Sequence, residues 1–449
     1  MKNNTTLSLG EKIRQIRKSK QLTQAYLAHA LNCSEMHISR IERGDVECNV
    51  QTIAAIKKAL EISNAPLTEY ELAVYNSQIW VWHEQLVARR IDDAKVMKDE
   101  LVSILHLPFE KELIIIYLML EVWLSLALFV RPPLKTNDND VIAIEHKLDM
   151  AKTLLDELDD TSSVEARYLY HRNKGTLFAY GHDYKNVLEH YLEAIRFINS
   201  SSVLKPDSML YWGIAQTYLN LGRPHYVLLY TERALLIDSN DPTSINRPAI
   251  IMAQAACKTF LGELDEAKAL YGESLARAQS VNNKTAIGIA IVDLGDIELR
   301  MGYPKKALEL LNRAEAHFED GLDVLSRSLF LYIKTKCLLK LKLNDECEKV
   351  IEEGIALAQQ AESKGYLICF ETSRHLMSLK SLESQEYLEN VAIPYFRNSN
   401  SILIYEAQEI CHTLEAFYKK SRSKVKALTI ASVSRDILHE MFYGTALTL

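Results

Sequence analysis

Glycine and proline are scarce in this sequence of 449 residues, with 15 and 10 copies respectively, and the apolar-polar alternation of strands is almost absent. Turns between strands need glycine and proline, and half-buried strands show an apolar residue at every second position. The two absences therefore argue against a β-rich fold and predict an all-α chain.

Cysteine is also rare, and its seven copies show no paired spacing. They are Cys33, Cys48, Cys257, Cys337, Cys347, Cys369 and Cys411. Because no CxxC motif or Cys/His cluster occurs, we expect neither a metal site nor a disulfide framework. The polar first ten residues lack the apolar core of a signal peptide, so a reduced, cytoplasmic location is the simpler expectation.

Motifs of the common enzyme classes are missing too. The sequence contains no glycine-rich phosphate loop, nucleophile elbow or His/carboxylate spacing typical of a metal site, so we predict no catalytic residues and no cofactor. A single long apolar run, Leu113 to Val130, raises the question of a membrane span. Glu121 in its middle would be costly in lipid. The run is therefore interpreted as a core helix, with no membrane partner.

Charge is distributed unevenly along the chain. Residues 1–66 hold ten Lys and Arg against six Asp and Glu, a balance of +4, which leaves −11 for the remainder of the net −7. A small basic segment ahead of an acidic body is typical of nucleic-acid binding confined to that segment.

The stretch Leu22 to Gly44 predicts two short helices joined by a tight turn. Thr23 and Ser34 stand at N-cap positions, and Asn32 lies where the turn needs a left-handed residue. The second helix has a buried stripe that begins at Ile38, and its other face is polar. That face carries Glu35, Met36, His37, Ser39, Arg40 and Arg43. A helix-turn-helix presents its second helix to the major groove of DNA in this way.

This stretch resembles the phage-repressor-like (XRE/Cro) helix-turn-helix family. The matching residues are Leu22-Thr23-Gln24, Leu27-Ala28, Ser34, Ile38-Ser39 and Ile41-Glu42-Arg43-Gly44. The resemblance implies that Gln24 contacts a phosphate, that Glu35, Met36 and Arg40 reach base edges, and that Arg17 pairs with Glu42. The residues predicted to bind double-stranded DNA are Gln24, Ser34, Glu35, Met36, His37, Ser39, Arg40 and Arg43. Independently of the family, an exposed arginine can donate two hydrogen bonds to guanine.

Beyond about residue 168 the chain repeats. Gly181, Gly222, Gly262 and Gly302 are separated by 41, 40 and 40 residues, and Lys342 takes the next 40-residue step. Small or apolar residues recur five and twelve positions after Gly222, Gly262, Gly302 and Lys342, and a small residue stands seven before each of these three glycines. Gly175 stands six before Gly181, a slip of one residue. This pattern is typical of tetratricopeptide repeats, which stack helical hairpins into a superhelix. Five repeats are clear, and a sixth, at about 367–400, is poorly matched.

The combined pattern resembles the Rap/NprR/PlcR-type (RRNPP) family of regulators. Besides the N-terminal motif, the resemblance rests on Trp82, Asp92-Asp93-Ala94 and Glu389 to Phe396. It implies an all-α fold with a five-helix-type helix-turn-helix domain and a right-handed tetratricopeptide superhelix. The predicted domains are 1–66 for DNA binding, 67–165 as a helical linker block, and 166–449 for peptide binding and oligomerisation. A homodimer or higher homo-oligomer is expected, because such domains usually bind two half-sites.

A short signalling peptide is expected to lie along the first helix of each repeat, where polar side chains one turn apart face the groove. The candidates are Arg172, Asn173, Thr176, Trp212, Gln216, Asn220, Asp293, Asp296, Arg300, Tyr332 and Lys336. The principal functional prediction is therefore a cytoplasmic quorum-sensing transcriptional regulator switched by this peptide. The sign of the regulation stays open.

A second reading is a protein that binds and modulates a response regulator without catalysis, as Rap-type relatives do. Catalytic relatives place a Gln shortly before the apolar helix of the linker block. The corresponding segment here, Pro108 to Leu113, contains none. Phosphatase activity is therefore not predicted, although binding to a response regulator stays open.

Overall fold

The computed structural model confirms an all-α chain in which a helix-turn-helix precedes tetratricopeptide repeats. It describes residues 10, 13–14, 17–18, 20–46, 50–60, 69–104, 111–128, 139–158, 163–240, 244–317, 324–398 and 404–442. Two compact units are found, Met1–Trp82 with Lys95–Tyr117, and His83–Ala94 with Leu118–Leu449.

The helix-turn-helix consists of three fully described helices and a helical segment before them that includes Ile13 and Arg17. The three helices are Gln24–Ala30, Glu35–Arg43 and Val50–Ala59. As predicted, the Thr23 hydroxyl accepts the N–H of Tyr26 at 3.1 Å, and Asn32 is left-handed with φ 52°. The buried side chains are almost all aliphatic: Ile13, Leu27, Ala28, Ile38, Ile41, Ile56 and Leu60.

Four long helices follow. They are Glu69–Val87, Ile91–Ile104, Lys111–Leu128 and Asn139–Asp156. The apolar run lies in the third of them, where Ile115 and Met119 are fully buried. Its one acid, Glu121, pairs with Lys147 at 3.0 Å, as a buried carboxylate requires. The predicted core helix is thus confirmed. None of the helices in the described part of the chain is long and apolar enough to span a membrane.

Seven helical hairpins then follow in order. Their helices are Val164–Tyr180 with Tyr184–Ser200, Ser208–Asn220 with Pro224–Ile237, Arg247–Phe260 with Leu264–Ser280, Lys284–Arg300 with Pro304–Glu315, Val324–Leu341 with Asn344–Gln360, Lys364–Met377 with Leu382–Asn398, and Ile404–Lys420 with Lys424–Phe442. The second helix of the sixth repeat is interrupted by a π-helical turn at Leu388–Ala392. This interruption explains why the sixth repeat matched poorly in sequence.

The turn inside each regular repeat contains one left-handed residue, and these residues set the register. They are His182, Gly222, Gly262, Gly302, Lys342 and Arg422, with φ between 58° and 89°. Gly181 lies in the turn of the first repeat, but the left-handed residue of that turn is His182, because the φ of Gly181 is −83°. With His182 in its place, every step up to Lys342 is 40 residues, and Val187 and Ala194 take the buried positions five and twelve residues on.

The seventh repeat was not predicted. Arg422 lies two 40-residue steps after Lys342, and Ala427 and Ser434 occupy the buried positions five and twelve residues later. The sequence has no glycine at the turn of this repeat, and the repeat before it is irregular, so the pattern did not predict it. Its first helix nonetheless contributes to the groove described below.

Candidate functional site

Helix Glu35–Arg43 is held at both ends and exposes one face. The Ser34 hydroxyl accepts the N–H of His37 at 3.2 Å, and Gly44 ends the helix in the left-handed conformation with φ 80°. Ile38 and Ile41 are buried, whereas the side chain of Met36 is 73 % exposed. Of the other residues of this helix predicted to bind DNA, Glu35, Arg40 and Arg43 are exposed, and His37 and Ser39 are partly exposed. The helix is therefore rigid in backbone and open to a ligand on its polar face.

A buried ion pair fixes this helix to the start of the domain. The Arg17 guanidinium donates to both carboxylate oxygens of Glu42, at 2.6 and 3.0 Å, and to the carbonyl of Leu22 at 2.7 Å. This confirms the pairing that the family resemblance implied. Burial opposes the ionisation of Glu42, but the hydrogen bonds from Arg17 and Gln24 outweigh it and lower the pKa of this carboxyl.

Gln24 has a role inside the domain that the sequence did not suggest. Its side-chain amide donates to Glu42 at 2.8 Å, so it is part of the same hydrogen-bonded cluster. The predicted phosphate contact of Gln24 stays a prediction, and a second N–H of the same amide remains for it. Arg43 is similarly engaged, in a surface ion pair with Asp45 at 3.1 Å.

In the repeats, most of the predicted peptide-binding residues fall at a common place relative to the left-handed turn residue. They lie ten, six or two positions before it: Arg172, Thr176, Trp212, Gln216, Asn220, Asp296, Arg300, Tyr332 and Lys336. These positions are one helical turn apart, so each set lies on one face of its helix. The two remaining candidates, Asn173 and Asp293, lie nine positions before it.

The structure places Asn173 in the protein interior instead of on a groove wall. It is fully buried, and its amide donates to the carbonyl of Met119 at 2.6 Å. The prediction that it grips a peptide is therefore not supported by its position in this conformation. Its neighbour on the same helix, Tyr180, donates to the carbonyl of Leu126 at 3.0 Å. Both side chains attach the first repeat to helix Lys111–Leu128.

Three of the other candidates in the first two repeats, Arg172, Thr176 and Trp212, line a cavity of about 140 Å³. Its polar and aromatic walls include Arg89, Trp123, Arg172, Thr176, Tyr180 and Trp212. Arg172 is held at one edge by Asp207, with 2.8 Å between Nε and Oδ2, and its guanidinium lies 3.2 Å from the centre of the Trp123 ring. Trp212 donates to the carbonyl of Ala249 at 3.1 Å. Gln216 and Asn220 lie partly exposed further along the same helix.

In the fourth repeat the candidates form an acidic group with one arginine. Asp296 pairs with Arg300 at 2.7 Å. Burial, and then the charge of Asp296, raise the pKa of Asp293 to about 7. Asp293 is therefore poised to change charge near neutral pH.

The fifth and seventh repeats meet in a second cavity of about 200 Å³. The Tyr332 hydroxyl donates to Glu406 at 2.5 Å, and the Lys336 ammonium bonds Glu406 at 3.1 Å and Glu409 at 2.8 Å. Lys340 also pairs with Glu409, at 3.0 Å. Although burial opposes it, these two lysines hold the pKa of Glu409 well below its usual range. The predicted residues Tyr332 and Lys336 are thus brought together with two acids.

Sequence reasoning missed several residues in or beside these cavities, among them two acids of the second cavity and an Arg and an Asp at the first. Glu406 and Glu409 belong to the unpredicted seventh repeat, and the 80-residue step from Lys342 to Arg422 was the signal that could have found them. Arg89 and Asp207 lie in a turn and at a helix start outside the repeat pattern, and no periodic signal marks them.

Two family models match the chain. A helix-turn-helix model matches residues 13–63, and a tetratricopeptide-repeat model matches residues 247–320. The first contains helix Glu35–Arg43, and the second contains the acidic group of the fourth repeat. Together they leave most of the chain unmatched.

The curated relatives match only a short part of the chain. The chain is 38 % identical over 71 residues to the control protein C.BamHI of Bacillus amyloliquefaciens, which is 16 % of this chain and 88 % of that protein. It is 30 % identical over 95 residues, 20 % of this chain, to the immunity repressor protein of Bacillus phage phi105, and spans about 63 % of that repressor's length.

Solved structures match over most of the chain at low identity. A Rap protein complexed with competence and sporulation factor has a TM-score of 0.66 at 15 % identity, covering 82 % of this chain and 98 % of its own. NprR in complex with its cognate peptide NprX has a TM-score of 0.61 at 20 % identity, covering 81 % and 99 %. This chain therefore belongs, through its helix-turn-helix segment, to the family of that control protein, and over most of its length it has the fold of the Rap and NprR proteins.

Proposed function

We propose that this protein is a cytoplasmic transcriptional regulator that binds double-stranded DNA through helix Glu35–Arg43 and is switched by a short signalling peptide in the repeat groove. The observation that carries the proposal is the exposed face of this doubly capped helix, in a segment similar to a control protein over most of that protein's length. The fold likeness to NprR in complex with its cognate peptide supports the second half.

DNA recognition is tested first. Selection of operators from sheared genomic DNA with the full chain is expected to yield a two-fold symmetric site, because a homodimer presents two recognition helices. Arg40→Ala is expected to weaken binding to that site by about ten- to a hundredfold if Arg40 makes a bidentate base contact. Arg435→Ala, at an exposed arginine of the last helix, is the matched control. Equal binding by both variants, or no selected site, would count against the proposal.

Peptide switching is tested with synthetic fragments of any small secreted product encoded beside the gene. Anisotropy of the labelled operator is measured with and without each fragment. A fragment that changes operator affinity in the wild type, and does so less in Asp296→Asn and Trp212→Ala, supports the groove as the site. Regulation that is identical in these variants would place the peptide elsewhere.

A second candidate function is binding to a response regulator without catalysis. The observation that favours it is the fold match to a Rap protein over 98 % of that protein's chain. Catalytic relatives have a Gln in the segment that corresponds to Pro108 to Leu113. Residues 108–110 of this segment lie outside the part of the chain that the structure describes. Co-elution of the protein with one member of a panel of receiver domains would favour this function, and selection of an operator with no co-elution would favour the first.

A further inference from the structure

The cavity of the first two repeats carries a positive charge that the protein does not neutralise. Its walls hold two guanidinium groups, from Arg89 and Arg172, and among the described lining residues none is acidic. The nearest carboxylate, Asp207, already accepts four hydrogen bonds, from Tyr168, Arg172 and the N–H groups of Met209 and Leu210. Asp207 balances Arg172, and one cation remains.

That remaining cation is Arg89. Within the described part of the chain its side chain has no carboxylate partner, although it lies beside Tyr180 and Arg172. Although Arg89 is exposed at its outer end, desolvation by the cavity walls lowers its pKa, and the charge of Arg172 lowers it further against an opposing effect of Tyr180. Arginine stays charged under these conditions. Arg89 is exposed at the edge of the cavity, so its guanidinium can donate hydrogen bonds to an anionic group of a ligand.

The remaining walls of the cavity indicate the kind of ligand to which the anionic group belongs. Leu86, Val87, Ile91 and Leu126 are aliphatic, and the rings of Trp123 and Trp212 close two sides. Arg172 is fixed by Asp207 at Nε and stacked on Trp123, so the orientation of its guanidinium is set before any ligand arrives. A volume of about 140 Å³ suits one apolar residue and excludes a large polyanion.

We propose that this cavity binds the C-terminal residue of the signalling peptide, with Arg89 and Arg172 holding its terminal carboxylate and the aliphatic and indole walls holding its apolar side chain. This assignment deepens the peptide binding proposed above and rests on it. It gives the peptide a direction, with its carboxyl end at the first repeat and the rest of the chain toward the acidic fourth repeat.

A small probe tests the cavity without any knowledge of the peptide. N-acetyl-L-leucine combines a free carboxylate with an apolar side chain, as the proposed C-terminal residue does. N-acetyl-L-leucinamide has the same side chain but an uncharged amide in place of the carboxylate. Binding to the full chain is followed by saturation-transfer NMR and by tryptophan fluorescence, since two of the four tryptophans line the cavity. The acid is expected to saturate at millimolar concentration, and the amide is expected to bind at least about tenfold more weakly. Equal binding of the two would overturn the assignment.

The turn geometry provides a variant that should fold. Arg89 is left-handed with φ 54°, a conformation that glycine adopts at lower cost than any residue with a Cβ, so Arg89→Gly removes the guanidinium and keeps the turn. Arg422→Gly is the matched control, because Arg422 has φ 63° and its own N–H and the next one close the same two backbone hydrogen bonds. Arg89→Gly is expected to lower the affinity for N-acetyl-L-leucine by about ten- to a hundredfold. Arg422→Gly is expected to leave that affinity unchanged. Unchanged affinity in Arg89→Gly would refute the proposal.

A peptide selection then tests the direction. Two libraries of random octapeptides, one with a free carboxyl terminus and one amidated, are enriched on the wild type and on Arg89→Gly. Enrichment of free-acid peptides that end in an apolar residue, on the wild type alone, supports the assignment. Equal enrichment from the amidated library would contradict it. Operator binding without peptide serves as a separate readout, so that a failure of the DNA-binding proposal is distinguished from a failure of this one.

Discussion

Gly354 lies where two repeats pack so closely that a single methyl group should be costly. It is in the second helix of the fifth repeat, and a Cβ at this position would lie 2.3 Å from two ring carbons of Phe370 and 2.6 Å from a third. Phe370 belongs to the sixth repeat and is fully buried. Its ring contacts Tyr332 edge-on, with 6.0 Å between ring centres, and Tyr332 is bonded to Glu406.

The magnitude for Gly354→Ala follows from two opposing effects. To reach an ordinary carbon contact the Phe370 ring must withdraw by about 1 Å, and overpacking of this kind costs about 1–3 kcal/mol. Replacing a helical glycine with alanine stabilises the helix by about 0.5–1 kcal/mol. The free energy of unfolding of this region is therefore expected to fall by about 1–2 kcal/mol. Because the displaced ring touches Tyr332, the contact with Glu406 should loosen as well.

Hydrogen exchange followed by mass spectrometry is the suitable assay, since a chain of repeats need not unfold in one step. Amides of residues 324–377 should exchange about 5–30 times faster in Gly354→Ala. Gly272→Ala is the control, because that glycine is also inside a second helix but nothing lies within 4 Å of its would-be Cβ. The control should exchange more slowly around residue 272. Equal or slower exchange in Gly354→Ala would refute the packing argument.

Three further predictions concern buried charge. Arg17→Met leaves its carboxylate partner buried without a cation, so the helix-turn-helix should lose about 3 kcal/mol, seen as faster exchange in residues 24–43; unchanged exchange there would contradict this. Burial lowers the pKa of His83 and of His171 to about 4, against about 6.5 in the unfolded chain. Their contribution to stability is therefore present above pH 6.5 and is lost as the pH falls toward 4, so the urea midpoint should be lower at pH 5 than at pH 7.5, and equal midpoints would argue against it. Lys336→Met removes the cation between the two acids of the seventh repeat and should destabilise that repeat by about 1–3 kcal/mol, and an unchanged urea midpoint would show that the network contributes little.

The helix-turn-helix could be predicted from the sequence almost residue by residue. Its signals are local: the caps Thr23 and Ser34, the left-handed Asn32 and the buried Ile38 each depend on neighbours a few positions away. The pair Arg17 and Glu42 was accessible only through the family resemblance, because 25 residues separate them. Local rules determine helix ends, and tertiary contacts between distant residues need the fold.

The repeats were predicted from the 40-residue step that links Gly222, Gly262, Gly302 and Lys342, and the prediction failed in register or in number where His182 or Arg422 occupies the left-handed turn position. His182 and Arg422 adopt this conformation although it costs a residue with a side chain about 1 kcal/mol, which the packing of the flanking helices outweighs. A search for glycine therefore displaced the first repeat by one residue and lost the seventh. The buried small residues five and twelve positions later, such as Ala427, are the more reliable signal because the packing itself requires them.

The same register position has different uses at the two ends of the repeats, and the reason lies in the neighbouring element. Ten positions before the left-handed residue, Arg172 meets Trp123 of a preceding long helix, and Tyr332 meets Glu406 of a following repeat. Each side chain satisfies its polar group with the partner that packing provides, since a buried polar group without a partner is costly. Periodicity thus identifies the face that a residue occupies, and the charge left over on that face depends on the neighbour. Arg172 is balanced and leaves Arg89 in excess, whereas Lys336 is shared between two acids. A peptide that recognises these cavities must carry a charge pattern complementary to what remains after the internal pairing, and this remainder can be worked out only once the contacts are known.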